Sequence, residues 1–385
     1  MGEGYDVARL RRQEFPWTLE GEAIYLNAAG TGPLPARSVR TLNEWALLRT
    51  RPWRLNDHET VFPALAHVRA LCARLLGAQA QEIALVPNTS WGLNLAARAL
   101  PLASGDVALV SDREFPSAVY AWQAAAQARG LELKFVPTQA GMLDEAALLA
   151  ALDTPRVRVL TLSWVSFATG CRVDLQRLGR ACRERGIFFV IDAMQGLGPE
   201  TLDVEACGAD IVACGGHKWL LSPWGTGFVY VRQALLSRLP PPAVSWFLGP
   251  GSEDYAHLLD YDLRYYADAR RFEVPTLPAQ DLVAMGSSLE LLFELGVEAV
   301  QQHVRNLANQ IVHWFERRPD MRLVTPADPS RRAGIVTFVP RDTATATGKL
   351  RDAGVIHSLR EGGIRLAPHC YNTPEEIDTA LAALA

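Results

Sequence analysis

The sequence lacks the features that mark secreted, membrane-spanning and nucleic-acid-binding proteins. None of its apolar runs reaches the ~18 residues of a membrane span. Its first residues contain no basic segment followed by an apolar one, so we expect no secretory signal. A net charge of -4 disfavours nucleic acid or an anionic membrane as the main partner. The six cysteines, at positions 72, 171, 182, 207, 214 and 370, contain no C-x-x-C pair and no paired metal spacing. We therefore expect a cytoplasmic protein with reduced thiols and no metal site.

Short, continuously apolar runs alternate with helical stretches through the first two thirds of the 385 residues. Continuous rather than alternating apolar strands, separated by helices, are typical of a largely parallel sheet that is buried on both faces. Such sheets place ligands outside the carboxyl ends of their strands. The seven predicted strands are Ile83–Val86, Val107–Val110, Leu133–Val136, Val157–Leu162, Phe188–Ile191, Ile211–Ala213 and Gly227–Val231. We predict an α/β fold with this mostly parallel seven-stranded sheet flanked by helices.

A proline run at 240–242 indicates a change of organisation. Beyond it the pattern predicts helices over Ala279–Leu295, Val297–Arg317 and Pro374–Leu384, with two strand-like runs, Ile335–Val339 and Ile364–Ala367. We predict a large domain over residues 20–255. A smaller α+β domain would combine residues 1–19 with the C-terminal residues 256–385.

The segment Asp210–Trp219 is the most informative stretch of the chain, because it places a lysine directly after a strand, two glycines and a histidine. The glycines allow another group to approach the backbone closely. The apolar neighbours of Lys218 favour a neutral amine, which can form a Schiff base with a carbonyl. A surface lysine at a strand end explains this stretch equally well.

Three other strand ends offer groups at the same edge of the sheet. Thr89 and Ser90 open a helix, whose free N–H groups suit a phosphate, although an ordinary helix cap explains them too. Phe115 could stack on a flat ligand or belong to the core. Asp192 follows four apolar residues, where a carboxylate is costly unless it meets a cation or good donors; it could also be a cap or a metal ligand.

Together these groups fit one cofactor, pyridoxal 5'-phosphate (PLP). PLP needs an amine for its aldehyde, an acid for its pyridine nitrogen, a phosphate cradle and a group against its ring. Lys218, Asp192, Thr89 with Ser90, and Phe115 supply these in that order. His217 is placed to support the phosphate or the lysine.

The chain resembles the class V aminotransferase family of fold-type I PLP enzymes, which includes cysteine desulfurases and isopenicillin-N-epimerase-like proteins. The resemblance extends from Tyr25 to Asp378. The motifs that carry it are Asn88-Thr89-Ser90, Glu114-Phe115-Pro116-Ser117, Asp192-Ala-Met-Gln195, Gly-His217-Lys218-Trp, Arg271-Phe-Glu-Val-Pro-Thr276 and Ile-Arg365-Leu-Ala-Pro-His369.

The resemblance implies further roles by position. Gln195 would contact the ring hydroxyl oxygen, and His217 would join Thr89 and Ser90 at the phosphate. Thr276 would reach the phosphate of the other subunit of a homodimer with shared active sites. Arg365 would bind the substrate α-carboxylate, and Asn27 and Ala29 would lie in the substrate pocket.

Three positions depart from the desulfurase pattern that the resemblance brings with it. Phe115 stands where many desulfurases have a histidine, and it can only stack. Ser166 stands where they have an asparagine near the ring hydroxyl, so it is a further candidate contact to the cofactor. Gly215 stands where a phosphate-binding serine is common, which would remove one contact.

The choice among reactions depends on cysteine. A desulfurase needs a mobile nucleophilic cysteine shortly before the carboxylate-binding arginine, but no cysteine lies between Cys214 and Arg365. We therefore expect an aminotransferase acting on a small α-amino acid. A C–S lyase or epimerase of the same family is the alternative. A desulfurase is less expected, and a non-catalytic binding scaffold is least expected because the lysine, aspartate and arginine are all present.

Overall fold

A computed structural model describes residues 4–139, 141–318 and 320–385. The expectation about the N-terminal end falls partly on residues 1–3, which lie outside the described residues. In chain order, the helices are α1 Val7–Glu14, α2 Ala36–Arg49, α3 Phe62–Leu76, α4 Thr89–Ala99, α5 Pro116–Arg129, α6 Glu145–Ala151, α7 Leu175–Glu184, α8 Gln233–Leu236, α9 Ala279–Leu295, α10 Val297–Phe315, α11 Thr343–Asp352 and α12 Pro374–Leu384.

The strands are numbered in the same way. They are β1 Ile24–Tyr25, β2 Ile83–Leu85, β3 Val107–Ser111, β4 Glu132–Val136, β5 Thr138–Gln139, β6 Met142–Leu143, β7 Val157–Ser163, β8 Phe188–Asp192, β9 Ile211–Gly215, β10 Gly227–Val231, β11 Arg322–Leu323, β12 Val336–Val339, β13 Val355–Ile356, β14 Ser358–Arg360 and β15 Gly363–Leu366.

The predicted seven-stranded sheet is confirmed, with the order β2-β10-β9-β8-β7-β3-β4 in the described part of the chain. Strands β9, β8, β7, β3 and β4 pair in parallel. Strand β10 is antiparallel to both of its neighbours, so β2 runs in the same direction as β9. Six strands therefore end at one edge of the sheet, which is where such folds bind their ligands.

Both faces of this sheet are covered, as its continuous apolar strands predict. Ile83 and Leu85 belong to one apolar core, whereas Ala84 and Val86 belong to a second core on the opposite face. This alternation follows from the two-residue period of a strand. The first core also takes in α1, α3 and α9, and the second takes in α4 and α5. Burial on both faces fixes the strand ends rigidly, which is useful for a site built from several of them.

A smaller antiparallel sheet has the order β11-β12-β15-β14 and contains Arg365 on β15. It packs with α10, α11 and α12 around a third apolar core that includes Leu307, Phe338 and Leu381. Strand β1 joins this part of the molecule by parallel pairing with β13. The division into residues 20–255 on one side and 1–19 with 256–385 on the other stays a prediction.

Several of the shorter elements were not predicted from the sequence, among them α1 and α11. Helix α1 lies in residues 1–19, and Asp6 caps it by accepting the Arg9 N–H. Within the described ranges, no helix is long and apolar enough to cross a membrane.

Candidate active site

The carboxyl-terminal edge of the central sheet brings together most of the residues selected from the sequence. Asp192 ends β8, and Lys218 follows β9 after a short turn. Thr89 begins α4 just beyond β2, and Phe115 precedes α5 just beyond β3. Arg365 comes from the smaller sheet, and its charge acts on Lys218. Four strand ends of the central sheet and one strand of the smaller sheet thus contribute side chains to the candidate site.

Lys218 has the electrostatic setting of a reactive amine. Burial lowers its pKa to about 8, and the charges of Arg365 and Arg360 add to this effect. The negative charge of the Asp192 carboxylate acts in the opposite direction and raises the pKa of Lys218. The Lys218 Nζ lies 5.6 Å from the centre of the Phe115 ring. A larger fraction of this amine is therefore neutral near pH 8 than for an ordinary lysine, and only the neutral amine is a nucleophile.

The loop Asn27–Gly32 packs directly against the backbone of the lysine turn. The Gly32 N–H donates to the His217 carbonyl oxygen at 2.9 Å. A side chain at Gly32 would place its Cβ 2.0 Å from the Lys218 carbonyl oxygen, so only glycine fits there. His217 itself is half-buried, and burial followed by the nearby Lys218 charge lowers its pKa. A neutral His217 can donate one hydrogen bond to a phosphate.

Asp192 is a buried carboxylate that forms no ion pair with any other residue that the structure describes. One of its oxygens accepts the Met194 N–H at 2.9 Å. Burial raises its pKa to about 6, while that hydrogen bond and the Lys218 charge act in the opposite direction. A protonated pyridine nitrogen would supply the missing positive charge at short range, which is the partner that PLP offers.

The start of α4 offers N–H and hydroxyl groups that suit a phosphate. Thr89 Oγ1 accepts the Gly215 N–H at 2.9 Å, which joins the helix start to the end of β9. Ser90 Oγ donates to Ser117 Oγ at 2.9 Å. A Cβ at Gly215 would lie only 3.2 Å from Met194 Sδ and 3.3 Å from Thr89 Oγ1. The glycine that replaces the common serine therefore accommodates the close approach of Thr89.

Glu114 is a site residue to which the sequence analysis gave no role. Its carboxylate accepts the Ser163 N–H at 3.0 Å and the Ser163 hydroxyl at 2.5 Å. Burial, and more weakly the Asp192 charge, raises its pKa to about 7 against the effect of these hydrogen bonds. Ser163 is the register partner of Asp192 in the adjacent strand. Glu114 thus ties the loop that carries Phe115 to the strand next to Asp192. In the sequence, the position of Glu114 shortly after a predicted strand was the signal that could have identified it as a site residue.

Gln195 is held at both ends of its amide. Its Nε2 donates to the Ala29 carbonyl oxygen at 3.1 Å, and its Oε1 accepts the Trp219 indole N–H at 2.7 Å. One Nε2 hydrogen is left for a ligand oxygen. Nearby, the Oδ1 of Asn27 is buried without a hydrogen-bond partner among the described residues. Buried polar atoms are nearly always satisfied, so this atom is available to a ligand.

Two hydrogen bonds hold the Arg365 guanidinium in position, but part of its hydrogen-bonding capacity is unused. Its Nε donates to Ser358 Oγ at 3.0 Å and its Nη1 to the Phe167 carbonyl oxygen at 2.9 Å. Its Nη2 is buried and has no partner in the described part of the chain. Burial, helped by the Arg360 charge, lowers the pKa of Arg365 to about 10. A guanidinium with a free buried N–H suits a carboxylate.

Two predicted site residues have a less direct relation to this space. Ser166 Oγ accepts the N–H groups of Ala168 and Thr169, so it stabilises a turn, and its own proton remains free for a ligand. Thr276 is exposed and lines a separate cavity of about 810 Å³. That cavity includes none of the residues around Lys218 in the described ranges. The backbone φ of Thr276 is 61°, a strained value for a β-branched residue.

Comparison with known proteins identifies the family. The class-V aminotransferase family model matches residues 24–379. The chain belongs to this family. It is 30% identical over 396 residues to isopenicillin N epimerase from Amycolatopsis lactamdurans, covering 95% of this chain and 96% of the relative. It is 28% identical over 350 residues to the uncharacterized aminotransferase YcbU from Bacillus subtilis, covering 91% and 90%.

Solved structures with the same fold include PLP enzymes. A cysteine desulfurase from Thermococcus onnurineus superimposes with a TM-score of 0.88 at 23% identity, over 99% of this chain and 98% of that one. A lysine-to-alanine mutant of C-DES, with glycine covalently linked to its PLP cofactor, gives a TM-score of 0.87 at 23% identity, over 97% and 98%.

PLP is the cofactor of this class V family, and the residues present fit it. Within the described part of the chain, Asp192 forms no ion pair and one N–H of the Gln195 side chain has no partner, and α4 presents its first N–H groups beside Thr89. Lys218 would attach the cofactor covalently, and Phe115 would cover its ring.

Proposed function

We propose that this protein is an aminotransferase that acts on a small α-amino acid. The observation that carries the proposal is the buried Arg365, whose Nη2 has no partner among the described residues and whose charge lowers the pKa of Lys218. A group that suits a carboxylate, close enough to act on an amine that can take a proton from the substrate Cα, supports the proposal. The likeness to YcbU supports the same assignment.

Each site residue has its own role in the proposed reaction. Arg365 binds and orients the α-carboxylate, so that the Cα–H bond points to Lys218. Lys218 takes the Cα proton as a neutral amine and returns it at another atom. Asp192 keeps a proton on the pyridine nitrogen, and Phe115 excludes water from one face of the ring. When bound, PLP supplies the electron sink for the electrons released at Cα.

The persulfide reaction of a desulfurase is disfavoured by the state of Cys370. This residue is fully buried, and burial raises the pKa of its thiol, so it has little of the thiolate that sulfur transfer requires. No cysteine lies in the sequence between Cys214 and Arg365. A C–S lyase or epimerase remains the second candidate, favoured by the 30% identity to isopenicillin N epimerase.

We also infer that the enzyme is a cytoplasmic homodimer whose two active sites are completed across the interface. Its cysteines at positions 72, 171, 182, 207, 214 and 370 are all free, as is usual in a reducing compartment. The strained, exposed Thr276 is explained if it contacts a phosphate in the other subunit.

Product analysis tests the reaction type. The purified protein is incubated with PLP, a panel of amino acids and several oxo-acid acceptors, and oxo acid, sulfide and racemised amino acid are measured together. We expect oxo acid that depends on the acceptor, with new amino acid formed in equal amount. Racemised product without oxo acid would indicate an epimerase, and pyruvate with sulfide a lyase.

A further inference from the structure

The β14–β15 hairpin places a second arginine beside Arg365. In its register Ser358 pairs with Arg365, and Arg360 pairs with Gly363. Residues two apart on a strand point to the same face, so Arg360 shares the face of Ser358 and Arg365. The hydrogen bond from Arg365 Nε to Ser358 Oγ confirms that face. Diagonal neighbours of this kind have Cα or Cβ atoms about 7–8 Å apart, within reach of long side chains.

The backbone fixes the position of Arg360. Glu361 and Gly362 form the two-residue turn with φ of 49° and 78°, as a tight hairpin turn of the primed type requires. Gly363, opposite Arg360, contributes no side chain, and a Cβ there would lie 2.8 Å from Thr337 Cγ2. Glu361 is itself paired with Arg113 at 3.6 Å, so it is engaged away from Arg360.

The charge of Arg360 lowers the pKa of both Lys218 and Arg365. This effect agrees with the register, which places Arg360 on the same face of the hairpin as Arg365. The side chain of Arg360 is exposed, and its Nη1 donates to the Leu359 carbonyl oxygen at 2.7 Å. No described carboxylate forms an ion pair with it. Two guanidiniums and an amine around one space repel each other, and a ligand with two negative groups would relieve that repulsion.

We propose that Arg360 binds a side-chain carboxylate of the substrate, so that the enzyme prefers dicarboxylic amino acids such as aspartate or glutamate. Arg365 would bind the α-carboxylate of the same molecule. This inference rests on the proposed function, because it requires an amino acid as the substrate. It goes further by naming the class of side chain.

Equilibrium binding tests the proposal without turnover. The PLP-loaded protein is titrated with L-aspartate and L-glutamate, and with their neutral counterparts L-asparagine and L-glutamine, while the cofactor absorbance is followed. We expect the wild-type protein to bind the better acid at least about tenfold more tightly than its amide. Arg360→Gln should weaken acid binding by about 10- to 100-fold, the range for a hydrogen bond to a charged group. Amide binding should change by less than about twofold.

Two further changes distinguish a direct contact between Arg360 and the substrate from a general effect of positive charge. Arg360→Lys keeps the charge but loses the planar fork, and it should retain part of the preference. The paired change Arg113→Gln with Glu361→Gln removes the neighbouring ion pair without a net change of charge and leaves Arg360 in place, so it should shift acid binding far less than Arg360→Gln.

Equal binding of acids and amides by the wild-type protein would overturn the proposal. An equal loss of acid binding and amide binding in Arg360→Gln would also overturn it. The same holds if the protein binds no amino acid at all. A preference for acids that Arg360→Gln abolishes would support it, whichever products form. If those products came from elimination or epimerisation, the aminotransferase assignment would fail while the role of Arg360 stood.

Discussion

Among single residues, Asp192 shows a conflict between folding and function. Burial raises its pKa to about 6, above the ~3.9 of an unfolded chain. The folded, cofactor-free protein therefore holds this proton more tightly than the unfolded chain does. The stabilising contribution is complete below pH ~3.9 and is lost as the pH rises through about 6. At neutral pH the buried carboxylate destabilises the cofactor-free protein.

Asp192→Asn should therefore stabilise the cofactor-free protein while it abolishes catalysis. We expect a gain on the order of 2 kcal/mol in the free energy of unfolding at pH 8, and a smaller gain at pH 5. Turnover should fall at least about tenfold, because an amide cannot hold the ring nitrogen protonated. Denaturant unfolding at both pH values and steady-state rates check this. A gain independent of pH, or turnover above about a tenth of wild type, would contradict it.

Cys370 provides a second prediction for a single residue. Because its thiol is buried and protonated, Cys370→Ser should keep most activity on the preferred amino acid. Sulfide released from cysteine should appear with pyruvate, and not with alanine and an enzyme persulfide. Cys182→Ser, another buried thiol, is the matched control for loss of stability. Alanine formation that Cys370→Ser alone abolishes would restore the desulfurase hypothesis.

At the level of elements, the loop between β3 and α5 depends on one carboxyl group. Glu114 ties it to Ser163, and the adjacent Phe115 packs edge-on against Phe167 with ring centres 5.3 Å apart. The carbonyl of Phe167 in turn holds Arg365. The β3–α5 loop thus positions the stacking ring, and the contact between Phe115 and Phe167 joins it to the separate segment that holds Arg365.

Glu114→Ala should loosen this loop and leave the half-buried Ser163 N–H without its Glu114 partner. We expect weaker retention of PLP by about tenfold, from a cost of roughly 1–3 kcal/mol. Glu114→Gln keeps an acceptor and should retain most of the affinity. Dialysis followed by measurement of bound PLP compares the two. An equal loss of PLP retention in both variants would mean that the charge of Glu114 matters, and not its hydrogen bonds to Ser163.

The elements also show what could be predicted from the sequence. The central strands were predictable because most of them are apolar runs that end at a turn, and only the edge strand β4 carries charged residues at its first and third positions. Helix α11 was not, because Thr343, Thr345 and Thr347 alternate like a strand, and its start depends on the Asp342 side chain accepting the Thr345 N–H. The hairpin that holds Arg360 depends on left-handed backbone at Glu361, a conformation that no local pattern marks.

The same limit applies to the candidate site. The residue types at strand ends indicated Lys218 and Asp192 because, although each alone had another explanation, together they fit one cofactor. The Glu114–Ser163 tie and the free Nη2 of Arg365 depend on contacts between residues far apart in the chain. Such contacts follow from the assembled sheet and not from local sequence.

For the whole molecule, the segment between the two sheets indicates association. Trp246, Tyr255, Leu259, Tyr261 and Leu263 are large apolar or aromatic side chains that are exposed in the single chain. Such a surface is unusual for a monomer and typical of an interface. Thr276 lies on the wall of the adjoining cavity.

We expect a homodimer by sedimentation, in which Thr276→Ala weakens PLP retention without changing the fold or the dimer. The reason is that each Thr276 would serve the phosphate of the other subunit. Serine at this position should retain most of the affinity, since it keeps the hydroxyl. A monomer with full PLP occupancy would contradict the prediction.

The central claim is that Lys218 at the sheet edge holds the cofactor, and mapping of the cofactor attachment tests it most directly. The PLP-loaded protein is reduced with borohydride, digested with trypsin and analysed by mass spectrometry. The account predicts one modified peptide, containing Lys218, with close to one cofactor per chain. Modification of a different lysine, or no uptake of PLP by the folded protein, would contradict it.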